Sequence, residues 1–492
     1  MLLVTCGLTS CAWPGAPFAV PEPPLQGLEE HPPTCPDAAQ APPSTLACWW
    51  QRFDDPLLSA LVEQALAANT RVASAQAAVR QAQALRDVAA AALSPTLGVS
   101  ATAQRNEAGS GSSGNGAGTG SGTNTYSTGL NAAWLPDLSG GARLGLAAAD
   151  ATAQASTATL GDVQVAVAGE VALAYITLRS GQVRLSIAQA NLANQLETLQ
   201  ITRWRQQAGL LTVQDTEQAR AATEQTRALL PALDMGVSQA GNALAVLVGH
   251  ADNRALKHLY SQALEANLAD IAVPQANASA TLALPALNLL QRPSVVAARL
   301  QLDAAQARMD QARVAGLPSV RLSASLGLSA ATLGALGNGA AVLRALLASI
   351  SLPLLDGGAT SAQARAQHAA WQQAQQAHKA AVLAALQEVE DQLAALQSDR
   401  DRLLRLSAAA DAATQAAAMA RQRYDSGLTD FQTVLETQRN RLTTQDGVAT
   451  AQAAISADQV RLFRALGGGW VPATPAASPP TPPTPPTTQG KP

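Results

Sequence analysis

Four short stretches of this 492-residue chain alternate between apolar and polar positions. A period of two residues is typical of β-strands, because successive side chains point to opposite faces of a sheet. The pattern predicts strands at about 95–105, 125–135, 318–329 and 346–355. Segments of about ten residues suit tilted strands that cross the hydrocarbon layer of a membrane. The positions on the predicted apolar faces are Leu97, Val99, Ala101 and Ala103; Tyr126, Thr128, Leu130, Ala132 and Trp134; Val320, Leu322, Ala324, Leu326 and Leu328; and Ala348, Ile350, Leu352 and Leu354.

The rest of the chain is dominated by helical periodicity. The segment from about Ala142 to Ala208 predicts one helix of some 67 residues, about 100 Å long at 1.5 Å per residue. Return helices are expected from Thr212 to Leu247 and from Thr429 to Leu466, and shorter helices at 70–93 and 293–315. Apolar residues that recur every seven positions indicate that the long helices pack against helical partners. They are Val171, Leu178, Leu185, Leu192 and Leu199, and in the second half Val389, Leu396 and Leu403.

The chain contains a large internal repeat. The nine residues LPDLSGGAR at Leu135–Arg143 return 217 positions later as LPLLDGGAT at Leu352–Thr360. Val72–Thr102 also aligns without gaps on Val295–Ser325. A repeat of this size indicates two halves with one plan, helix, strand pair, long helix and return helix. We place the halves at residues 49–249 and 293–470, with 250–292 between them and a Pro/Thr-rich tail, expected to be disordered, at 471–492.

The repeated nonamer predicts a joint between a strand and a helix. A proline cannot donate a hydrogen bond to a strand ladder, so it ends the strand. A pair of glycines then lets the chain turn into the long helix. The residues assigned to the two joints are Pro136, Gly140 and Gly141, and Pro353, Gly357 and Gly358.

Four strands cannot close a membrane barrel, because a bilayer tolerates no unpaired strand edge and the smallest single-chain barrels have about eight strands. After the leader, no uncharged apolar run reaches the roughly 18 residues of a membrane helix. A spanning protein of this kind would therefore need strands from several chains. The alternative is a lipid-anchored coiled-coil scaffold of the cell envelope without a pore, which explains the seven-residue pattern but not four apolar faces of membrane-spanning length.

The N-terminus indicates export. Residues 1–10 are uncharged and mostly apolar, as in a signal peptide, although no Lys or Arg precedes Arg52. Leu8 to Cys11 resembles the bacterial lipobox, which predicts acyl chains on Cys11 and a lipidated, Pro-rich segment at 11–48. In an oxidising compartment Cys35 and Cys48 are a possible disulfide, and two free thiols are the alternative.

Composition argues against several functional classes. The formal net charge is −3 and no block of like charge occurs, so nucleic-acid binding is not expected. The five histidines show no metal-binding spacing, and no phosphate-binding loop is present. We expect neither enzymatic activity nor a metal or other cofactor.

Several motifs together carry a family resemblance. The chain is similar to the outer-membrane factors, the TolC-like exit ducts of tripartite efflux pumps, and most of all to their NodT-type lipoprotein branch. The resemblance implies a mainly helical homotrimer in the bacterial outer membrane, with a 12-stranded β-barrel, four strands per chain, continuous with a periplasmic helical barrel. It also places 250–292 in an equatorial connector. The motifs are Trp49-Trp50 with Phe53 to Leu57, the two joints, Arg292-Pro293, Arg423-Tyr424 before Ser426 to Leu428, Glu436 to Arg439, and Ala465 to Trp470.

The same resemblance assigns roles at the periplasmic tip. Tyr424 stands at the place of a gate tyrosine, and Glu436 and Arg439 at the places of charged residues of the closed tip. A ring of three carboxylates would repel itself and so affect both charge selection and opening. Thr433 departs from an aspartate common in the family, which leaves a second acidic ring in doubt. By the same resemblance, the helix-end turns contact a periplasmic adaptor protein that links the duct to an inner-membrane pump of the RND type. These turns comprise Gly209, Leu210, Gly427, Leu428 and Thr429.

Overall fold

A computed structural model of the chain describes residues 48–106, 123–250, 272–276, 289–337 and 342–470. The signal peptide, Cys11, Cys35, most of the connector and the C-terminal tail lie outside these residues. The helices are α1 (Pro56–Ala68), α2 (Thr70–Ala91), α3 (Gly141–Gln207), α4 (Val213–Leu247), α5 (Pro293–Val314), α6 (Ala359–Asp425) and α7 (Phe431–Ala465), with 3-10 helices at Trp49–Phe53 and Leu333–Gly337. The strands are β1 (Thr96–Asn106), β2 (Thr123–Trp134), β3 (Ser319–Ala330) and β4 (Val342–Ser351).

The four strands form one antiparallel sheet in the order β1-β2-β3-β4. The register pairs Val99 with Leu130, Leu130 with Leu326, and Ala324 with Leu346. Since residues two apart share a face, the predicted apolar positions that lie within the four strands are on the same side. Leu352 and Leu354 were also predicted there, but they lie beyond the end of β4. Mostly polar residues occupy the other side, where Ser100 and Asn131 form a hydrogen bond of 2.8 Å, but Leu343 and Leu347 of β4 also lie there. The predicted alternation is therefore confirmed for β1, β2 and β3, and in β4 for Ala348 and Ile350.

The predicted bounds of the fourth strand, 346–355, are wrong by four residues. Ser351 pairs with Ser319, the first residue of β3, so the chain beyond Ser351 has no strand to pair with. At the other end β4 continues to Val342, which pairs with Leu328. The charged Arg344 interrupts the apolar alternation there. For this reason the strand predicted from the alternation begins later than β4 does.

The two long helices have the predicted length. α3 and α6 each contain 67 residues, and each ends at a turn that returns the chain through a 35-residue helix, α4 or α7. α3 packs against α2, α4, α5 and α7, while α6 packs against α5 and α7. The seven-residue positions face these contacts. Val171, Leu178 and Leu199 are buried, and Leu185 and Leu192 are half-buried.

One 18-residue window of α3 is apolar enough to cross a bilayer by length and composition alone. Half of that window is buried inside the chain, as expected of a helix in a protein core. The four helices that flank the strands, α2, α3, α5 and α6, all join the same end of the sheet. The sheet and the helical body therefore lie end to end.

The helical body has its main core where the N-terminal segment meets α3 and α7. Trp49 is fully buried and stacks on Phe463, with ring centroids 5.4 Å apart. Asp55 caps α1 through the backbone N–H groups of Leu57 and Leu58, and its second oxygen accepts a 2.7 Å hydrogen bond from the Tyr175 hydroxyl. Burial and the nearby Asp55 carboxylate strongly raise the pKa of Tyr175. This cluster ties the start of the chain to the middle of α3.

The C-terminal end of α7 fastens the two halves together. Gly467, Gly468 and Gly469 all adopt positive φ angles, which side chains disfavour. They turn the chain so that the Trp470 indole lies directly on the backbone of Gly161 in α3. A short side chain at residue 161 is therefore a requirement of the fold.

Each half also anchors its short helix to a long helix through an ion pair. Arg71 at the start of α2 binds both carboxylate oxygens of Glu170, at 2.7 and 2.8 Å. Arg292, which precedes α5, pairs with Glu388 of α6 at 2.6 Å. Glu170 and Glu388 are equivalent in the repeat, so the two halves use the same acid with differently placed arginines.

Candidate functional site: the membrane sheet and the helical tip

The sheet exposes its apolar face in the isolated chain. Val99 is 77% exposed, Leu346 83% and Ile350 75%. The outer edges of β1 and β4 have no pairing strand among the described residues. Exposed apolar area of this kind, bounded by two open edges, requires both a lipid environment and further strands.

Two joints connect the sheet to the long helices, and each uses an aspartate that the sequence analysis did not assign. The Asp137 carboxylate accepts hydrogen bonds from the backbone N–H groups of Ala142 and Arg143, and Asp356 accepts them from Gly358 and Thr360. These bonds satisfy N–H groups that the first turn of a helix leaves without a partner. The hydrogen bond from the Thr360 hydroxyl, together with the two backbone bonds, lowers the pKa of Asp356 to about 2. Burial opposes the effect at Asp137, but the hydrogen bonds hold the pKa of Asp137 below its usual value.

The glycine assignments at the joints need one correction. Gly140, Gly357 and Gly358 adopt left-handed φ angles of 80°, 63° and 87°, as expected of turn residues. Gly141 instead is the first residue of α3. A Cβ atom added at this position would lie 3.6 Å from a methyl group of Val314. The first joint therefore turns at one glycine and the second at two. Pro136 and Pro353 each follow the end of a strand by two residues, as predicted.

The far ends of α3 and α6 form two equivalent turns. Gly209 and Gly427 have φ angles of 75° and 70°. The backbone N–H group of the residue that follows, Leu210 or Leu428, donates a hydrogen bond of 2.8 Å to the carbonyl oxygen five residues earlier. This is the Schellman arrangement, which needs a left-handed residue after the last helical turn. The repeat in sequence thus produces the same turn twice.

Both turns expose apolar side chains. Leu210 is 72% exposed and Leu428 70%, and on the first turn Trp204 and Val213 are 61% and 64% exposed. Thr429 is half-buried beside Leu428. The return helices begin with strong caps, since Thr212 and Asp215 form a capping box and Asp430 accepts from the Thr433 N–H group. The leucines are therefore held at the tip by rigid backbone, and the part of the chain that the structure describes does not cover them.

Tyr424 lies under these turns in a small core between the helices. Its ring packs 5.4 Å from Phe431, and Leu199 and Val434 are buried in the same cluster. The Arg205 guanidinium stands 4.7 Å above the ring, within the range of a cation–π contact. The hydroxyl is buried and makes no hydrogen bond inside the described part of the chain. Burial raises the pKa of Tyr424, and the positive charge of Arg205 opposes this.

The other two predicted tip residues have no partner of this kind. Glu436 and Arg439 lie on α7 and are exposed. Neither side chain forms a hydrogen bond or an ion pair within the ranges that the structure describes. A single chain thus brings Tyr424 into a packed cluster but leaves these two charges on its surface.

The structure adds tip ion pairs that sequence reasoning missed. Arg205 contacts Asp425 at 3.3 Å, and Arg421 contacts Glu197 at 2.8 Å. Further along, the Arg184 guanidinium donates to both oxygens of Asp446 at 2.6 and 3.1 Å. Each pair joins residues more than 200 positions apart. Local patterns in the sequence contain no signal for such pairs.

Comparison with known proteins decides which membrane protein this geometry represents. The sequence profile described as "Outer membrane efflux protein" matches residues 61–250 and 284–468, which is most of both repeats. The chain belongs to the outer membrane efflux protein family. The resemblance inferred from the joints and the terminal motifs is thereby confirmed.

Individual relatives agree with the family assignment. The channel is 30% identical over 463 residues to the pyoverdine export outer membrane protein OpmQ of Pseudomonas putida, covering 93% of this chain and 96% of that protein. It is 26% identical to nodulation protein T of Rhizobium leguminosarum bv. trifolii, covering 88% and 90% of the two chains. Among solved structures, the outer-membrane channel OprN matches with a TM-score of 0.77 and 32% identity, over 86% of this chain and 92% of that one.

These comparisons establish the protein as an outer-membrane channel for efflux, with a TolC-like fold in which a membrane β-barrel continues into a periplasmic helical barrel. The alternative prediction of a coiled-coil envelope scaffold without a pore is rejected, because the relatives are outer membrane efflux proteins and the structural neighbours are channels. No group of three or more potential metal ligands occurs in the described residues.

Proposed function

We propose that three copies of this chain form a passive exit duct, and that an adaptor protein couples the duct to an inner-membrane pump, which supplies the energy. The observation that carries the proposal is the open four-stranded sheet. One face is apolar, both edges are unpaired among the described residues, and two 67-residue helices extend from the same end. Three such sheets give twelve strands, which meet the requirement that a membrane barrel has no open edge.

The two apolar turns are proposed as the adaptor contact. Exposed large apolar side chains on rigid backbone are typical of protein interaction sites. Leu210 and Leu428 meet that description at equivalent places in the two repeats. One duct of three chains would therefore present six nearly equivalent turns. Such a surface suits an adaptor that contacts both kinds of turn in the same way.

The experiment that tests this proposal is an export assay in the native host. The double variant Leu210→Ser/Leu428→Ser should lose export of the host's efflux substrates while the trimer still assembles, since both side chains lie outside the core. Leu404→Ser is the matched control, because Leu404 on the shaft of α6 is 65% exposed. Full export by the tip variant would rule out these turns as the adaptor contact.

The roles of Tyr424, Glu436 and Arg439 in a periplasmic gate are a further part of this proposal. In the trimer, Glu436 from three chains would bring three carboxylates near one axis, and repulsion between them would favour opening unless cations or Arg439 balance it. The packing of Tyr424 under Arg205 supports a role in which the tyrosine holds the tip closed through ring contacts. Opening would then have to separate Arg205 from both Tyr424 and Asp425.

Lipid anchoring through Cys11 is a further part of the proposal. Cys48 takes part in a disulfide, and the other three cysteines of the chain lie outside the described residues. Since Cys6 would leave with the signal peptide and Cys11 would be acylated, we assign Cys35 as the partner of Cys48. Intact mass of the mature chain, before and after reduction, tests both modifications.

A further inference from the structure

The two long helices differ in the neighbours that they have. α3 packs against α2 and α4 of its own half and against α5 and α7 of the second half. In the part of the chain that the structure describes, α6 packs against α5 and α7 of its own half. In the repeat, α5 is the equivalent of α2 and α7 is the equivalent of α4. A further pair of helices like α2 and α4 would therefore give α6 the same surroundings as α3.

The next such pair in a closed ring belongs to the following chain. β1 and β4 are the two edges of the sheet, so closure of the proposed trimer places β4 of one chain beside β1 of the next. The half that follows α6 around the ring is then the first half of the adjoining chain, with its α2 and α4. Each contact between the two halves thereby predicts an equivalent contact between two chains.

The helix lengths determine which residues correspond. α3 and α6 have 67 residues each, α4 and α7 have 35 each, and α2 and α5 have 22 each. The first two pairs of helices begin 218 positions apart, and the third pair begins 223 positions apart. Because the lengths agree, every residue of these helices has a defined equivalent in the other half.

The C-terminal end of α7 covers α3, whereas the equivalent surface of α6 is open. A Cβ atom added at Gly468 would lie 2.7 Å from a methyl group of Val165, which is buried. Leu383 stands at the same place in α6 and is 56% exposed. The larger of the two apolar side chains is thus the one that the described part of the chain leaves uncovered.

The matching surface at the end of α4 is also open. Arg464 of α7 packs against Gly169 of α3, where a Cβ atom added to the glycine would lie 3.9 Å from that of the arginine. The equivalents of these two residues are Val246 of α4 and Gln387 of α6. Val246 is 72% exposed, and Gln387 is exposed too.

The outer face of α2 leads to the same assignment. Arg308 of α5 donates a hydrogen bond of 2.9 Å to the Thr152 hydroxyl of α3. The equivalents of this pair are Leu85 of α2 and Ala370 of α6, and both are exposed. A polar contact between the halves corresponds here to an apolar contact between chains.

Charged residues between the halves have apolar equivalents as well. Asp162 of α3 lines a small cavity together with Arg292 and Arg464. The residues equivalent to Asp162 and Arg464 are Ala380 and Val246. The halves are joined by the chain itself, whereas separate chains must be held by the free energy of association, to which burial of apolar surface contributes most. Apolar residues in place of charged ones are therefore expected at a boundary between chains.

We infer that the contact between chains repeats the contact between the two halves, with apolar residues in place of polar and charged ones. α6 of each chain packs against α2 and the C-terminal end of α4 of the next chain. Val246 covers Leu383 and Gln387 of its neighbour, and Leu85 packs against Ala370. This assignment rests on the proposed trimeric duct and names the surfaces that hold it together.

Cysteine cross-linking tests the inference. The Cβ separation of 3.9 Å between Gly169 and Arg464 lies within the range of about 3.5–4.5 Å that a disulfide needs. Gly169→Cys/Arg464→Cys should therefore form a bond within one chain, and Val246→Cys/Gln387→Cys should form the equivalent bond between chains. Val246→Cys/Leu404→Cys is the displaced control, because Leu404 is exposed but lies about 25 Å farther along α6.

The full-length variants are extracted in detergent, oxidised with copper phenanthroline and separated on a denaturing gel without reductant. We expect Val246→Cys/Gln387→Cys to give covalent dimers and trimers that reduction converts to single chains. The single-cysteine variants, the displaced control and the pair within one chain should stay single chains. A Val246→Cys/Gln387→Cys trimer without cross-linked chains would overturn the inference, and so would equal cross-linking of the displaced control.

A second measurement tests whether the contact is apolar. Val246→Ser/Leu383→Ser should raise the protein concentration at which half of the trimer dissociates in detergent by at least about tenfold, because apolar contact area is lost. Leu404→Ser is the matched control, since its equivalent Ser186 stays exposed although α3 has all four neighbours. Dissociation of the double variant at the wild-type concentration would contradict burial of Val246 and Leu383 between chains.

Each preparation is first checked for trimer mass and pore conductance. A conducting trimer without the bond between residues 246 and 387 contradicts this inference alone. Failure of the wild-type chain to form a conducting trimer contradicts the proposed duct itself.

Discussion

At the scale of single residues, the fold depends on one close contact between the halves. The Trp470 indole occupies the space that a Cβ at residue 161 would need, and Gly468 approaches Val165 in the same way. These close contacts explain why the segment that follows α7 is rich in glycine. The sequence motif Ala465 to Trp470 marks the family, but only the structure shows that its partner is a glycine in α3, about three hundred residues earlier.

The contact leads to a testable prediction. Gly161→Ala should force Trp470 from its site and destabilise the protein by about 1–3 kcal/mol, a cost that the better helix propensity of alanine offsets only in part. Gly236→Ala in α4 is the control, because nothing lies within 4 Å of its added Cβ and the helix should gain about 0.5–1 kcal/mol. Thermal denaturation of the detergent-purified proteins compares the two. A rise in melting temperature for Gly161→Ala equal to that of the control would show that the Trp470 contact is unimportant.

Residue roles were only partly accessible from the sequence. The joint glycines and the tip glycines could be predicted, because a left-handed turn after or before a helix favours glycine at a fixed position. The capping carboxylates Asp137 and Asp356 were missed, since they occupy different positions in the two nonamers. The tip ion pairs were missed because helix packing, and not local spacing, brings their members together.

At the scale of elements, the period of the hydrophobic pattern was sufficient for the strands and the long helices. It failed at β4, where Arg344 on the apolar face and two leucines on the polar face obscure the alternation. Pairing with β3 fixes the register there, and pairing is not visible in the sequence of one strand. The lipid-facing and lumen-facing sides of β4 are therefore assigned from the sheet.

Adjacent leucines in β4 give a direct test of that assignment. Leu346 pairs with Ala324 on the apolar face, and Leu347 pairs with Ser323 on the polar face. Leu346→Arg should destabilise the barrel by about 2–4 kcal/mol if it lies near the bilayer midplane, whereas Leu347→Arg should be tolerated. Denaturant titration of both variants folded into lipid vesicles measures the difference. Equal losses, or a larger loss for Leu347→Arg, would mean that the faces are assigned the wrong way round.

At the scale of the whole molecule, the internal repeat explains most of the architecture. Each half supplies two strands, one 67-residue helix and one return helix, and the halves lie side by side in one sheet. The sequence indicated that several chains must cooperate, because four strands leave two open edges. It could not show how the edges meet, since contacts between chains leave no periodic pattern. The proposed number of chains, three, comes from the family resemblance and from the count of strands.

The central claim is that three copies of this chain close one barrel, and the native mass of the complex extracted from outer membranes in detergent tests it most directly. We expect a mass of three chains, with each mature chain lacking residues 1–10 and carrying lipid on Cys11. A single chain in detergent, or a protein released from the membrane without detergent, would contradict the trimeric duct.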